Sequence, residues 1–153
     1  MIRVATPEDV ASVATLFWDT VRRVNCRDYA PPQIAAWAGE VPDEQKWRQR
    51  LGHWHTLVEI ERGTVRGFVE ANQTGEIGAL YVHADFQRRG IGRALLLEAE
   101  RWAANVPVCS LRSDASITAL PLFRNAGFQV CAQQKVVYQG SQFINFRVEK
   151  RIG

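Results

Sequence analysis

Sulfur and histidine are scarce in this chain, with three cysteines, three histidines and one methionine. Cys26, Cys109 and Cys131 are odd in number and far apart, which excludes a complete disulfide framework and the paired spacing of a zinc site. Cys109 and Cys131 lie in apolar runs and are expected to be buried thiols, whereas Cys26 lies in a polar segment. His53 and His55 stand at strand spacing around Trp54, but no third ligand accompanies them, so no metal is expected. No run of 18 apolar residues exists, which excludes a membrane-spanning helix. The opening "MIRVATPEDV" turns acidic at once and shows no apolar signal region. These absences point to a reducing cytoplasm. Lysine is also rare, with only Lys46, Lys135 and Lys150, the other basic residues being arginine. The net charge of +3 is too small to argue for nucleic acid, though it suits an acidic ligand.

What is present describes a globular chain. At 153 residues and 46% hydrophobic, a single domain spanning 1–153 with a substantial core is expected. "MIRVA" reads as a strand. "TPEDVASVATLFWDTVRRV" reads as a helix that Thr6 caps, with Pro7 in its first turn, Asp9 closing a T-x-x-D box and Val10, Val13, Ala14, Phe17 and Val21 facing inward. Two short helices follow, "PQIAAWA" and "PDEQKWRQRLG", the second closed by Gly52. "HTLVEIE", "TVRGFVEA" and "EIGALYV" form a three-strand meander. A long helix, the strand "VCSLRS", the helix "SITALPLFRNAG" and a closing hairpin, "FQVCAQQKVVYQ" with "SQFINFRVEK", complete the chain. The order implies an α/β fold: one mostly antiparallel mixed sheet with helices on both faces.

The stretch "HADFQRRGIGRALLLEAERWA" carries the strongest chemical signal. Ile91, Leu95, Ala99 and Trp102 line one face of a helix. Gly90 and Gly92 therefore sit at its N-terminus, where the first backbone N–H groups lack intrahelical partners and carry the positive end of the helix dipole. Two glycines would let an anion approach those groups, and Arg88, Arg89 and Arg93 add charge. Either this is a phosphate or pyrophosphate seat, or it is a helix start that uses glycine for backbone geometry. A dinucleotide fingerprint is excluded because Leu95 stands where the third glycine or alanine belongs. A Walker loop is excluded because Gly-Lys-Ser/Thr is absent.

"LYVHADFQRRGIGRALL" resembles the signature of the GNAT superfamily of N-acetyltransferases, whose Q/R-x-x-G-x-G/A core is here Gln87-Arg88-Arg89-Gly90-Ile91-Gly92. "TPEDVASVATLF" resembles that family's first strand–helix unit, and "ALPLFRNAGF" its segment near the end; "RDYAPPQIAAWA" and "INFRVEK" resemble a bacterial branch of small acetyltransferases. The resemblance implies the family fold, with acetyl-CoA as co-substrate. Its pyrophosphate would lie on the amides of Arg88 to Arg93, and its pantetheine arm along Leu80, Tyr81 and Val82 at a splayed strand end. It implies acetyl transfer to an amine, carried by a small molecule or by a protein or peptide. The alternative is a non-catalytic acyl-CoA-binding module. A homodimer is left open.

An amine with a pKa near 10 must lose a proton before it attacks a thioester. Glu76 is expected to supply the base, sharing a face with Leu80 and Val82 if its strand is regular; Glu59 and Glu70 are the fallbacks. At the position where many family members carry a leaving-group tyrosine this chain has Phe123, which cannot donate a proton, and the usual coenzyme-binding asparagine falls on Ser116. Tyr138 is the substitute acid. The acceptor is expected against Cys26, Asp28 and Tyr29, with Trp37 at the cleft. Asp28 would suit a cationic amine and Arg27 an anionic group, and sequence alone does not choose between them.

Overall fold

A computed structural model describes residues 1–153. Strands β1 (Ile2–Val4), β2 (His55–Glu61), β3 (Thr64–Ala71), β4 (Glu76–Val82), β5 (Ser110–Ser116), β6 (Gln129–Tyr138) and β7 (Ser141–Arg151) form one sheet in the order β1-β2-β3-β4-β5-β7-β6. Only β4 and β5 run parallel, so the expectation of a mostly antiparallel mixed sheet agrees with the structure. Helices α1 (Val10–Arg23), α2 (Pro31–Ala38) and α3 (Glu44–His53) cover one face. Helices α4 (Ile91–Ala103) and α5 (Leu120–Asn125) cover the other.

Periodicity explains why these elements pack where they do. The α1 residues Val10, Val13, Ala14, Phe17 and Val21 are all buried, giving the apolar stripe that docks a helix on a sheet. Ile91, Leu95 and Ala99 of α4 do the same on the opposite face. At the start of α1 the Asp9 carboxylate accepts the Thr6 N–H at 2.7 Å and is held by both terminal nitrogens of Arg3. The acidic half of the expected box therefore forms.

Three local expectations are corrected. Helix α3 runs through Gly52 to His53, with the Trp54 N–H bonded to the Arg50 carbonyl at 2.8 Å. Helix α5 is only six residues long, because Ser116 Oγ accepts the Ala119 N–H at 3.0 Å and spends residues 116–119 on a turn. Cys109 and Cys131 are exposed, not buried. Cys109 precedes β5, and Cys131 occupies the bulge between Val130 and Ala132 on the edge strand β6.

The decisive irregularity lies in β4. Its register against β3 pairs Glu70 with Ala79 and Ala71 with Ile77, leaving Gly78 as an extra residue. A bulge of this kind shifts the alternation of side chains by one. Ile77, Leu80 and Val82 accordingly pack toward α4, while Ala79 and Tyr81 pack toward α1. On its other edge β4 meets β5 only through Glu76 and Ile77, opposite Arg112 and Ser113. Beyond Ile77 the two strands diverge, although Ser113 Oγ still donates to the Ile77 carbonyl at 2.8 Å.

Candidate active site

The divergence of β4 from β5 opens two cavities that meet. One, of about 170 Å³, runs between the separated strands toward the glycine loop and is lined by Leu80, Val82, Gln87, Ala115, Ser116, Leu122 and Phe123 among others. The second, of about 470 Å³, opens on the α1–α3 face against Phe17, Tyr29, Trp37, Lys46, Trp47, Arg50, Tyr138, Phe143 and Asn145. Trp37, Gly78, Ala79, Tyr81, Asp114 and Ser116 line both. These six residues mark the junction.

Beyond Gln87, which lines the narrow cavity, stands the glycine loop. Gly90 has φ +78, and a Cβ placed on it would meet nothing within 4 Å. Its backbone is therefore the constraint, and open space lies over it. Arg88 also takes a positive φ, 61. The first intrahelical bond runs from Ala94 N–H to the Gly90 carbonyl at 3.0 Å, so the amides of Ile91, Gly92 and Arg93 precede any i−4 partner. Arg88, Arg89 and Arg93 form no ion pair, and Arg89 lies over the Phe86 ring at 5.2 Å. Gly92 also has a packing role. A Cβ there would sit 2.5 Å from Leu122 Cδ2 and 3.4 Å from Val82 Cγ2, so its bareness serves the packing of α4 on α5 and β4. The Gln87 side chain turns back to donate to the Val82 carbonyl at 2.7 Å, closing the end of β4.

Gly78 owes its identity to a ring. A Cβ there would fall 2.6–2.9 Å from the Trp54 indole, which is itself covered by the Arg50 guanidinium at 5.1 Å. Gly78→Ala is expected to cost about 1–3 kcal/mol of stability, because a rigid indole with the Arg50 guanidinium against it cannot yield as a chain end would. Denaturant unfolding of the variant measures it, and an unchanged midpoint would show that Trp54 moves freely.

Several expected site residues are placed differently. Glu76 lines neither cavity. The bulge removes it from the face of Leu80 and Val82, and Arg147 holds both its oxygens, with Arg112 Nε 3.6 Å away. Glu59 pairs with Arg66 at 2.5 Å, and the arginine holds its carboxyl below the usual range. Glu70 is fully buried against Arg50, with contacts of 2.6 and 3.0 Å, and burial pushes its carboxyl up. Neither fallback reaches a cavity. Cys26 is exposed and Asp28 accepts from Thr118 Oγ1 at 2.8 Å; both stand outside the cavities. Tyr29 presents its ring to the wide cavity, but its hydroxyl accepts the Ile117 N–H at 3.0 Å and donates to the Ile144 carbonyl at 2.7 Å. It ties the loop after α1 to the far side of the splay. Phe123 is buried edge-on to Phe128 at 5.1 Å, beside the narrow cavity.

Sequence reading missed Asp114, Lys46 and Arg50. Asp114 stands on β5 at the junction, where Oδ1 accepts from Arg147 at 3.1 Å and from Gln134 at 3.0 Å while Oδ2 has no partner. Tyr81 stands at the same junction, and burial raises its hydroxyl pKa above the ordinary tyrosine value. No local motif marks Asp114. Its role arises from facing the bulged strand.

The acetyltransferase (GNAT) domain model matches residues 25–150. This chain belongs to the GNAT acetyltransferase family. It is 34% identical over 145 residues to the uncharacterized N-acetyltransferase YafP of Escherichia coli K12, covering 95% of this chain and 91% of that protein. A GCN5-related N-acetyltransferase from Rhodopseudomonas palustris superposes with a TM-score of 0.93 at 30% identity, over 99% of this chain and 94% of the other. The PaiA N-acetyltransferase of Thermoplasma acidophilum, solved in complex with coenzyme A, superposes with a TM-score of 0.80 at 21% identity, over 99% and 98% of the two chains. Membership of this family supports acetyl-CoA as the co-substrate.

Proposed function

We propose that this GNAT acetyltransferase moves an acetyl group from acetyl-CoA to a primary amine that enters through the wide cavity. The observation that carries the reading is the splay of β4 from β5 beyond Ile77, which joins a slot reaching Gln87, at the start of the glycine loop, to a second, aromatic-lined cavity. In this reading the pyrophosphate lies over Gly90 on the amides of α4, flanked by Arg88, Arg89 and Arg93. The pantetheine arm runs along Leu80, Tyr81 and Val82, pairing with the edge that β5 leaves up to Val82, whose carbonyl already accepts from Gln87 and Thr20, and Ser116 and Phe123 line its path. The thioester then reaches the residues shared by both cavities.

Asp114 replaces Glu76 as the proposed base. As the C–N bond forms, the nitrogen becomes acidic, and the free Oδ2 takes its proton. Backbone N–H groups of the unpaired β4 stretch donate to the developing oxyanion. The C–S bond then breaks, and the thiolate, with a thiol pKa near 8.5, leaves without much help. Of the two tyrosines Tyr81 stands at the junction, whereas Tyr138 lines only the wide cavity, so Tyr81 is the one placed to meet the departing sulfur; burial raises its pKa and weakens it as an acid, in keeping with a thiolate that leaves largely unassisted. Three unpaired thiols support the reducing setting of a cytoplasm.

Gly90→Val tests the donor site. A branched residue at φ +78 strains the backbone, turns the loop amides and fills the open space above them. Acetyl-CoA affinity measured by calorimetry on the folded variant is expected to fall at least about tenfold. Undiminished affinity would remove the pyrophosphate from this loop.

A further inference from the structure

The wide cavity is electrostatically lopsided. Its charged lining groups are Lys46 and Arg50 on α3 and Asp114 on β5. Arg50 gives its Nε and Nη2 to Glu70, so that pair is neutral, but Nη1 has no acceptor. Asp114 is balanced by Arg147, which also neutralises Glu76, and Arg112 stands beside that carboxylate. Lys46 has no carboxylate partner. Its ammonium rests over the rings of Phe17 at 4.8 Å and Trp47 at 5.4 Å, where aromatic faces hold a cation without supplying an acceptor for its N–H groups. The spare polar capacity of the α3 wall is thus all donor. That of the β5 wall includes the free Oδ2 of Asp114. Trp37 and Phe143 pack edge to face between these walls, with ring centroids 5.9 Å apart, and add apolar surface.

We infer that the acceptor is an amino acid-like zwitterion: a primary amine that also carries a carboxylate, on an apolar or aromatic body. The carboxylate lies against Lys46 and Arg50 Nη1, the apolar body against Trp37, Trp47 and Phe143, and the amine toward Asp114 at the junction. A cationic polyamine would place a second positive charge against an unpaired lysine. A cavity of about 470 Å³ lies within the usual size range of small-molecule sites. This inference rests on the wide cavity being the acceptor site of the proposed acetyl transfer.

The test uses pairs that differ only in the carboxylate: L-phenylalanine against phenethylamine, and 6-aminohexanoate against hexylamine. Binding to the coenzyme A-loaded protein is read by calorimetry, and turnover by thiol release from acetyl-CoA with hydrolysis blanks. The carboxylate-bearing member of at least one pair should bind about tenfold tighter or better, the scale of one charge-assisted hydrogen bond. Lys46→Met keeps the stem over both rings and should cut that preference by about fivefold or more, the part carried by Arg50 Nη1 remaining. Equal or tighter binding of the plain amine in both pairs would overturn the inference, as would a preference undiminished in Lys46→Met. Failure of coenzyme A to bind at all would instead count against the donor site, which the loading step reports separately.

Discussion

Asp114→Asn is expected to lower kcat by about a hundredfold with any amine the enzyme accepts, while acetyl-CoA affinity stays within a few-fold. Asparagine keeps the size of the side chain, and its carbonyl can still accept from Gln134 and Arg147, the partners of Oδ1. What it loses is the ability to take a proton at the other oxygen. Glu76→Gln is the control. Both oxygens of Glu76 already serve Arg147 and it reaches neither cavity, so its loss should act through the position of Arg147 and cost far less in rate. Single-turnover measurements on both variants decide the matter. A hundredfold loss in Glu76→Gln beside a nearly normal Asp114→Asn would return the base to β4.

The largest effect on stability is expected from Arg50→Met. Glu70 has no exposed surface, and Arg50 is its ion-pair partner. Removing one member of a buried pair strands the other charge, at a cost of about 3–5 kcal/mol. Methionine retains part of the packing against Trp47 and Trp54, whose rings the guanidinium faces at 5.5 and 5.1 Å. Burial already raises the Glu70 pKa, and loss of Arg50 raises it further. Between the ordinary glutamate value and that raised one, the folded state binds a proton that the unfolded state does not, so stability falls as pH rises through the window. The deficit of Arg50→Met relative to wild type should therefore be greatest at neutral pH and shrink on acidification. Asp9 and Glu59, whose pKa values are held down by Arg3 and Arg66, impose the opposite slope on both proteins, which is why the difference carries the test. Adding Glu70→Gln should restore much of the loss at neutral pH. A deficit independent of pH would mean that Arg50 acts mainly by packing on the two indoles.

The amino-acid sequence by itself determined the order of elements and the position of the glycine loop. β2, β3 and β4 begin and end where their alternation and turns indicate, because these signals are local. The helix dipole at Gly90 is local too, since it depends only on a glycine preceding an amphipathic helix. The same holds for the exclusion of the other glycine-rich nucleotide motifs, which is a matter of counting. Tertiary structure alone decided which side chains face the chemistry. One extra residue at Gly78 reverses the alternation of β4, and nothing in "EIGALYV" announces it, because the bulge is imposed by pairing with β3 and by the indole of Trp54 lying against the glycine. That reversal takes Glu76 off the face of Leu80 and Val82. The separation of β4 from β5, a feature of two strands distant in sequence, is what exposes Asp114 to both cavities. Lys46 and Arg50 belong to a helix that reads as an ordinary solvated surface. They became cavity residues only when α3 packed across α1 and brought Trp47 against Phe17, because contact between distant elements is fixed by the shape of the assembled core and not by local pattern.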